Sequence, residues 1–505
     1  MAVPAIECKG IRKVFGSTVA NNNIDLTVNY GEILALLGEN GSGKTTLMNM
    51  LSGIYHPDAG TIFVNGEETV INSPSDSAEL KIGMIHQHFK LINVFSALDN
   101  IALGNDRAGS KAVAKRAKEI CDSFGLDVDL NKKIYNMSVG EKQNVEILKV
   151  LYRGAKILIL DEPTAVLTPQ EIKVLFDILK KMRQNGCAII IITHKLNEVM
   201  EISDRVTILR KGESISTVKT AETNEKQLTE LMVGRAVSLE IERPEVDDVH
   251  ELLRVCNLTV LKDDGSVGLD DVEFSLNTGE ILGVAGIAGS GQKELCETIA
   301  GLTSVKAGAI LYKKENIVGK KPKEIIDLGI QMSFVPEDRL GMGLVASMSM
   351  TDNMMLKNYS DGKSIFIEKS GAKKLASRLV DELEIKTPSI DTPVRMLSGG
   401  NVQKVLVGRE IAAGPNLLIT AYPVRGLDIN SSYMIYDLLN QQKKKGVAVI
   451  FIGEDLDVLL QLSDKIMVLC HGKITGIVDA KSVTKEQIGL MMTGKTAEEA
   501  GICKQ

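Results

Sequence analysis

Nine residues, Gly38-Glu-Asn-Gly-Ser-Gly-Lys-Thr-Thr46, set three glycines at short spacing directly before a lysine and two hydroxyls. Gly38, Gly41 and Gly43 let the backbone turn tightly, with its N–H groups facing inward. Those N–H groups and the N-terminus of a following helix favour anionic oxygens. Lys44 offers a positive charge to the β- and γ-phosphates, and the Thr45 hydroxyl suits Mg2+. Glu39, Asn40, Ser42 and Thr46 belong to the same candidate cradle. The chemistry is that of a nucleoside triphosphate.

Other residues downstream fit the same chemistry. An apolar run from Lys156 ends in Asp161-Glu162-Pro163. Asp161, at the strand end, can hold a metal directly or through water, and Glu162 can act as general base on an attacking water. His194 follows the strand Ala188 to Thr193 and reads as a γ-phosphate sensor. Gln87, in Met84-Ile-His-Gln-His-Phe89, follows another short strand, and its amide can reach Mg2+ or the water. Phe15, in Lys13-Val-Phe-Gly16, has two readings: a stacking surface for adenine or a core phenylalanine.

These residues need a scaffold. A short apolar strand, Ile33 to Leu37, precedes the glycine loop, and a helical pattern, Lys44 to Leu51, follows it. That strand–loop–helix order is the context in which a glycine pattern binds phosphate. The runs Cys187 to Ile192 and Val447 to Ile452 are short and rich in β-branched residues, as expected of strands covered on both faces.

The whole arrangement occurs twice. Gly286-Ile-Ala-Gly-Ser-Gly-Gln-Lys-Glu294 answers the first loop at an offset of 248, again after a strand (Ile281 to Ala285) and before a helical pattern (Gln292 to Ile299). Gly31–Leu34 recurs as Gly279–Leu282, while Ser203–Val206 matches Ser463–Ile466 at an offset of 260. A repeat of about 250 residues is a pair of domains, since solenoid units are about 20–50 residues long. The expected division is 1–235, an acidic proline-containing linker at 236–252, and 253–505. The second copy has changed its chemistry. Gln292 replaces Lys44, Ala421 replaces Asp161, Tyr422 replaces Glu162, Glu454 replaces His194 and Glu337 stands for Gln87.

The 505 residues suffice for two to four domains with full cores. A net charge of −6 argues against a basic nucleic-acid-binding face, so no nucleic-acid partner is expected. Seven scattered cysteines without a CxxC pair read as reduced, mostly buried thiols. The N-terminal decapeptide has no secretory pattern, and no apolar run approaches the roughly 18 residues that cross a bilayer.

Leu397-Ser-Gly-Gly-Asn-Val-Gln403 is close to LSGGQ, and with the motifs above it makes the chain resemble the ATP-binding subunit of an ABC transporter. His86–Leu91, Val145–Glu171 and Val335–Arg339 resemble the simple-sugar and nucleoside importers, nearest to the subgroup that works with nucleoside-binding lipoproteins. The resemblance covers nearly the whole chain. It implies an α/β fold of two tandem P-loop ABC ATPase domains, each with a mixed sheet and a helical subdomain. It implies ATP and Mg2+ as cofactors, with Glu162, His194 and Gln87 in catalysis and Thr45, Gln87 and Asp161 at the metal.

The family pairs its cassettes head to tail. By that rule Ser398, Gly399 and Gly400 face the ATP held at Gly38–Thr46, giving one competent site. The poorer pair, Ser138-Val-Gly140 and Gly286–Glu294, falls together. The first half departs from the family in Ala165–Thr168, which lacks an aspartate that Gly426-Leu-Asp428 keeps. The implied partners are transmembrane permease subunits, docked beside Phe89–Asn93 and Val335–Arg339, and, through them, an extracytoplasmic substrate-binding lipoprotein. The implied place is peripheral, on the cytoplasmic face of the membrane. Nucleosides are the first cargo, pentoses or hexoses the second, riboflavin the third. A double-cassette translation factor resembles this chain only in its nucleotide motifs. A DNA-repair ATPase needs long heptad runs, and none occur.

Lys44→Ala or Glu162→Gln is expected to abolish ATP turnover, while Gln292→Ala leaves most of it. Equal loss from both sets in a steady-state phosphate-release assay contradicts the one-site reading.

Overall fold

The computed structural model describes residues 3–16, 18–86, 89–103, 110–164, 167–193, 195–234, 241–262, 264–287, 289–327, 332–336, 338–357, 369–425 and 427–502. The chain divides into two compact units, Met1–Ser238 and Leu239–Gln505. The described residues just before Glu251 are tied into the second unit. The Asn440 amide donates to the Glu242 carbonyl (2.6 Å), and Arg243 donates to the Leu460 carbonyl (2.7 Å).

In the first unit a six-stranded sheet runs in the order Glu213–Lys219, Arg205–Arg210, Ile33–Leu37, Ala188–Ile192, Ile157–Asp161, Ile82–Ile85. All neighbours are parallel except the hairpin of the first two, so the sheet is mixed. Ile33–Leu37, Ile157–Asp161 and Ala188–Ile192 are buried along their whole length. Their alternate side chains enter two different cores, which is why the sequence reads as unbroken apolar runs. Leu34, Ile157, Ile159 and Ile190 pack with the phosphate-loop helix Lys44–Leu51 and a four-stranded sheet of which Ile6–Phe15 and Thr18–Val28 are two strands. Leu158, Leu160, Ile189 and Ile191 pack instead with the helices Val139–Tyr152 and Pro169–Gln184.

Register places the site. Leu36 and Asp161 both pair with Ile192, so three parallel strands end at one edge of the sheet. The phosphate loop, Asp161-Glu162 and Thr193 therefore leave the sheet together, at the carboxyl end where open α/β sheets bind ligands. The second unit repeats this plan. Its sheet order is Met332–Val335, Leu417–Ala421, Ala448–Ile452, Ile281–Ala285, Lys465–Cys470, Lys473–Asp479, with Val284 and Ala421 both opposite Ile452. Each unit also has the expected helical part, with Ser110–Phe124 and Val139–Tyr152 in the first and Ser370–Glu382 and Gly399–Ala412 in the second.

The phosphate-loop strand is anchored at its start by one carboxylate in each unit. Asp204 accepts the Ile33 N–H (2.8 Å) and pairs with Arg183 (2.7 Å). Asp464 accepts the Ile281 N–H (2.8 Å) and pairs with Lys443 (2.6 Å). The helix behind the sheet is thereby fastened to the strand that leads into the loop. Asp204→Ala leaves the Ile33 N–H without this acceptor and is expected to lower the unfolding free energy by about 1–3 kcal/mol. Denaturant melts at neutral pH measure this.

Candidate active site

Gly43 caps the helix Lys44–Leu51 with φ 98°. A Cβ there would lie 2.5 Å from both the Ala20 carbonyl and the Asn21 amide, so space and backbone conformation each require glycine. Gly38 is closed in the same way, its absent Cβ falling 2.3 Å from the Leu209 carbonyl. The loop is thus pressed against two strands, and Lys44 is drawn inside it. Its Nζ donates to the carbonyls of Gly38 (2.7 Å) and Glu39 (3.0 Å). Burial pushes the Lys44 pKa below its ordinary value, opposed by the nearby Glu162, Asp161 and Glu39 carboxylates. Thr45 and Asn40 are exposed, and Thr46 is half-buried.

Asp161 is buried at the strand end, and its pKa rises to about 6. Burial is the main cause and Glu162 adds to it, while Lys44 opposes it. Glu162 follows in the left-handed region (φ 46°), with its N–H donating to the Ile192 carbonyl (2.9 Å). That backbone turn sets the glutamate beside a buried ammonium and a second acid. Phe15 lies outside the core, 42% exposed, and meets the Tyr55 ring edge-on at 5.2 Å. Gln87 and His194 lie outside the described residues, as do Ala165, Glu337 and Gly426.

Sequence reasoning missed several residues here. Asn21 is fully buried on the neighbouring strand and donates to the Gly43 carbonyl (3.2 Å). Beyond the two acids, the Thr164 hydroxyl donates to Glu198 Oε2 (2.6 Å), and Lys195 pairs with Glu198 Oε1 (3.1 Å). Glu198 carried no signal, because an acid in the first turn of a helix reads as a surface charge favoured by the dipole.

The second unit keeps the backbone and changes the groups. Gly291 caps its helix with φ 112°, and Tyr422 takes the place of Glu162 with φ 51° and the same N–H bond, to Ile452 (2.9 Å). Gln292 is buried where Lys44 was, and its amide donates to the Ile287 carbonyl (3.1 Å). The loop is held by a neutral group that offers phosphate no charge. Glu454, at the His194 position, lies 3.5 Å from Arg425, whose guanidinium stands 5.9 Å from the Tyr422 ring centroid.

The two signature-type helices, Val139–Tyr152 after Ser138 and Gly399–Ala412 after the LSGGQ-like Leu397-Ser398, also differ. Ser138 is an N-cap whose hydroxyl accepts the Glu141 N–H (3.2 Å), while Glu141 accepts the Ser138 N–H (2.7 Å) and pairs with Lys132 (2.7 Å). A carboxylate therefore already occupies that helix N-terminus. Ser398 caps its helix without a side-chain bond to the helix N–H groups, and no acid lies in the first turn. Its hydroxyl accepts from the Asn401 amide instead (2.9 Å). Asp428, the aspartate absent from the first half, accepts the Ser431 N–H (2.8 Å) as an N-cap, and Thr168 caps the corresponding helix of the first unit. Locally, one capping residue has replaced another.

The Asp161 shift fixes a pH dependence. Its folded pKa of about 6 exceeds the ordinary 3.8, so the folded chain binds this proton more tightly. The resulting stability is present below about pH 4 and lost as pH rises through about 6. Asp161→Asn mimics the protonated form. Without nucleotide it is expected to be more stable than the parent at pH 7.5 by on the order of 1–3 kcal/mol, with the difference vanishing near pH 4. Denaturant melts across that range provide the check.

The ABC transporter family model matches residues 21–165 and 269–423. The chain is 41% identical over 502 residues to the nucleoside import ATP-binding protein NupA of Lactococcus lactis, covering 98% of this chain and 99% of the relative. It is 43% identical over 504 residues to the guanosine import ATP-binding protein NupO of Bacillus subtilis, covering 98% of each. The glucose import ATP-binding protein TsgD13 of Haloferax volcanii is 38% identical, with 97% of this chain and 96% of the relative covered. A duplicated phosphate-loop sheet, a buried loop lysine beside two strand-end acids and these full-length likenesses converge: the chain belongs to the ABC transporter family, as an ATP-hydrolysing subunit with two cassettes.

Proposed function

We propose that this subunit energises the import of nucleosides and hydrolyses ATP at its first cassette. The observation that carries the cargo is the full-length similarity to the two nucleoside-type relatives, at 41% and 43% identity. Import of a hexose or pentose is the second reading, favoured by the glucose-type relative at 38% and ribose-type relatives at 35–36%.

The site residues fit the chemistry. Lys44, buried and bonded to two loop carbonyls, gives ATP phosphates a charge in a low-dielectric setting, where it is worth most. Mg2+ takes one or two protein oxygens beside substrate phosphates and waters. The Thr45 hydroxyl and the Asp161 carboxylate supply that number, with Gln87 as a further candidate. Among the described residues no group of three or more His, Cys, Asp or Glu is placed to hold a metal ion. When bound, the ion neutralises charge on the phosphates. Glu162 removes a proton from the attacking water, and His194 contacts the γ-phosphate. Phe15 offers an exposed ring to the base. Ser398, Gly399 and Gly400 are assigned, on the family resemblance, to nucleotide binding. Their acid-free helix N-terminus suits an anion as the Glu141-capped one does not.

The proposed partners are permease subunits; no helix among the described residues of this chain is long and apolar enough to cross a membrane. We place their contact at the segment following Gln87. Ile92 and Val94 are exposed there, and Lys90 is tied to the signature-type helix of its own unit. Its N–H donates to Glu146 (2.7 Å), and its carbonyl accepts from Lys149 (2.9 Å). Motion of that helix is then passed to the docked segment. A binding lipoprotein delivers cargo to the permease from outside, and this chain sits at the cytoplasmic face.

Uptake of labelled nucleosides and sugars, in cells carrying the parent chain or Glu162→Gln, tests the assignment. Nucleoside uptake lost in the variant with sugar uptake kept is the expected result. Sugar uptake lost with nucleoside uptake kept would move the cargo to the second reading.

A further inference from the structure

A buried polar bridge lies behind the catalytic edge of the first unit. The Thr164 hydroxyl, on the loop that follows Glu162, donates to Glu198 Oε2 at 2.6 Å. The Thr193 hydroxyl, at the end of the adjacent strand, lies 3.4 Å from the same oxygen. Glu198 Oε1 pairs with the Lys195 ammonium at 3.1 Å, which also reaches the Thr164 carbonyl at 3.4 Å. The Lys195 N–H donates to the Thr193 hydroxyl at 3.1 Å. Thr164, Thr193 and Glu198 are each less than a tenth exposed. Both carboxylate oxygens are therefore engaged, and the partners come from two strand-end loops. One of these loops carries Glu162. The other carries, between Thr193 and Lys195 in the sequence, His194.

The second unit shows what this strand edge needs for folding alone. At the offset of 260, Thr164 becomes Val424, Thr193 becomes Gly453, Lys195 becomes Asp455 and Glu198 becomes Val458. Val424 and Val458 pack against the apolar core of that unit. The strands, the register and the left-handed residue at the Glu162 position all persist there without the bridge. A buried ionised network costs desolvation, and apolar packing of similar volume commonly replaces it without loss of stability. The bridge is present in the unit that has the lysine and both acids, and absent from the unit that has lost them.

We infer that Glu198 is a positioning residue for ATP hydrolysis, bridging through Thr164 and Thr193 the two loops that carry Glu162 and His194. In this role it acts through those loops and not on the reacting atoms themselves. It fixes the spacing of the loops, and misplacement of a reacting group by about 1 Å costs on the order of 100-fold in rate. The inference rests on hydrolysis taking place in the first unit.

The test uses the purified full-length chain with Thr164→Val, Thr164→Ser, Glu198→Gln and Glu162→Gln. Steady-state ATPase gives kcat and KM, binding of a non-hydrolysable ATP analogue gives Kd, and thermal melts give Tm. Thr164→Val and Glu198→Gln are expected to lower kcat about 10- to 100-fold, with Kd within about threefold of the parent and only the modest fall in Tm that one buried polar group short of a partner costs. Thr164→Ser, which keeps the hydroxyl, is expected to retain most of the activity. Parental kcat in Thr164→Val while Glu162→Gln is inactive would overturn the inference and leave the first-unit reading standing. A Kd that rises in step with the loss of kcat, with no rescue by serine, would reduce the bridge to structural support and also overturn it. Full activity in Glu162→Gln would instead remove the first-unit reading itself.

Discussion

The burial of one ammonium group organises the first unit. Lys44 is held inside its loop by two backbone carbonyls, and burial works against its charge. Charge in such a place must be answered; Glu39 of the loop contributes, and ahead of it come the strand-end acids Glu162 and Asp161. They are close because two strands flanking one another end at the same level. One ends at Asp161, and the other pairs with the strand that feeds the loop. The arrangement is one of mutual cost. Lys44 eases the ionisation of Asp161, yet burial still lifts that carboxyl to about 6. A bound triphosphate and its counter-ion would bring charges of both signs and relieve these opposing costs. The same desolvation makes each contact to phosphate worth more than it would be in water.

The second unit shows what happens to the fold when that ammonium is removed. Gln292 keeps the loop closed with a neutral amide. Ala421 and Tyr422 then stand where two acids would have no cation to balance them. Leu269 takes the position of Asn21 beside the loop, and valines take those of Thr164 and Glu198. Each substitution exchanges a buried polar group, which must be satisfied, for an apolar or neutral one that need only pack. Backbone features that depend on shape survive, including the glycine at φ 112° and the left-handed Tyr422. The scaffold and the chemistry are thus separable in this chain, and the carboxylate anchoring the start of each loop strand, Asp204 or Asp464, belongs to the scaffold.

Much of this was legible in the sequence because each signal had a local cause. Ile33–Leu37 and Lys44–Leu51 read as strand and helix from their apolar runs and the glycines between them, and the structure has those same limits. The duplication was legible because close-packed glycines and strand residues tolerate little change. Thr164, Thr193 and Glu198 were not legible, since their bridge joins residues 34 apart through a register that no single segment encodes. The missing aspartate at Thr168 read as a departure in chemistry, and the structure adds that this position also caps a helix in both units. Asn21 was hidden for a further reason: a buried asparagine in an amphipathic strand looks like any other polar residue until its neighbour is known.

The claim that all the hydrolytic chemistry resides in the first unit is tested most directly by trapping. The intact chain, turning over ATP with Mg2+ and orthovanadate, is freed of unbound nucleotide. The retained ADP is counted per chain and mapped with a photoreactive analogue. The account predicts about one ADP per chain, with label near Lys44 and none near Gln292. Two ADP per chain, or label on the Gly286–Glu294 loop, would contradict it.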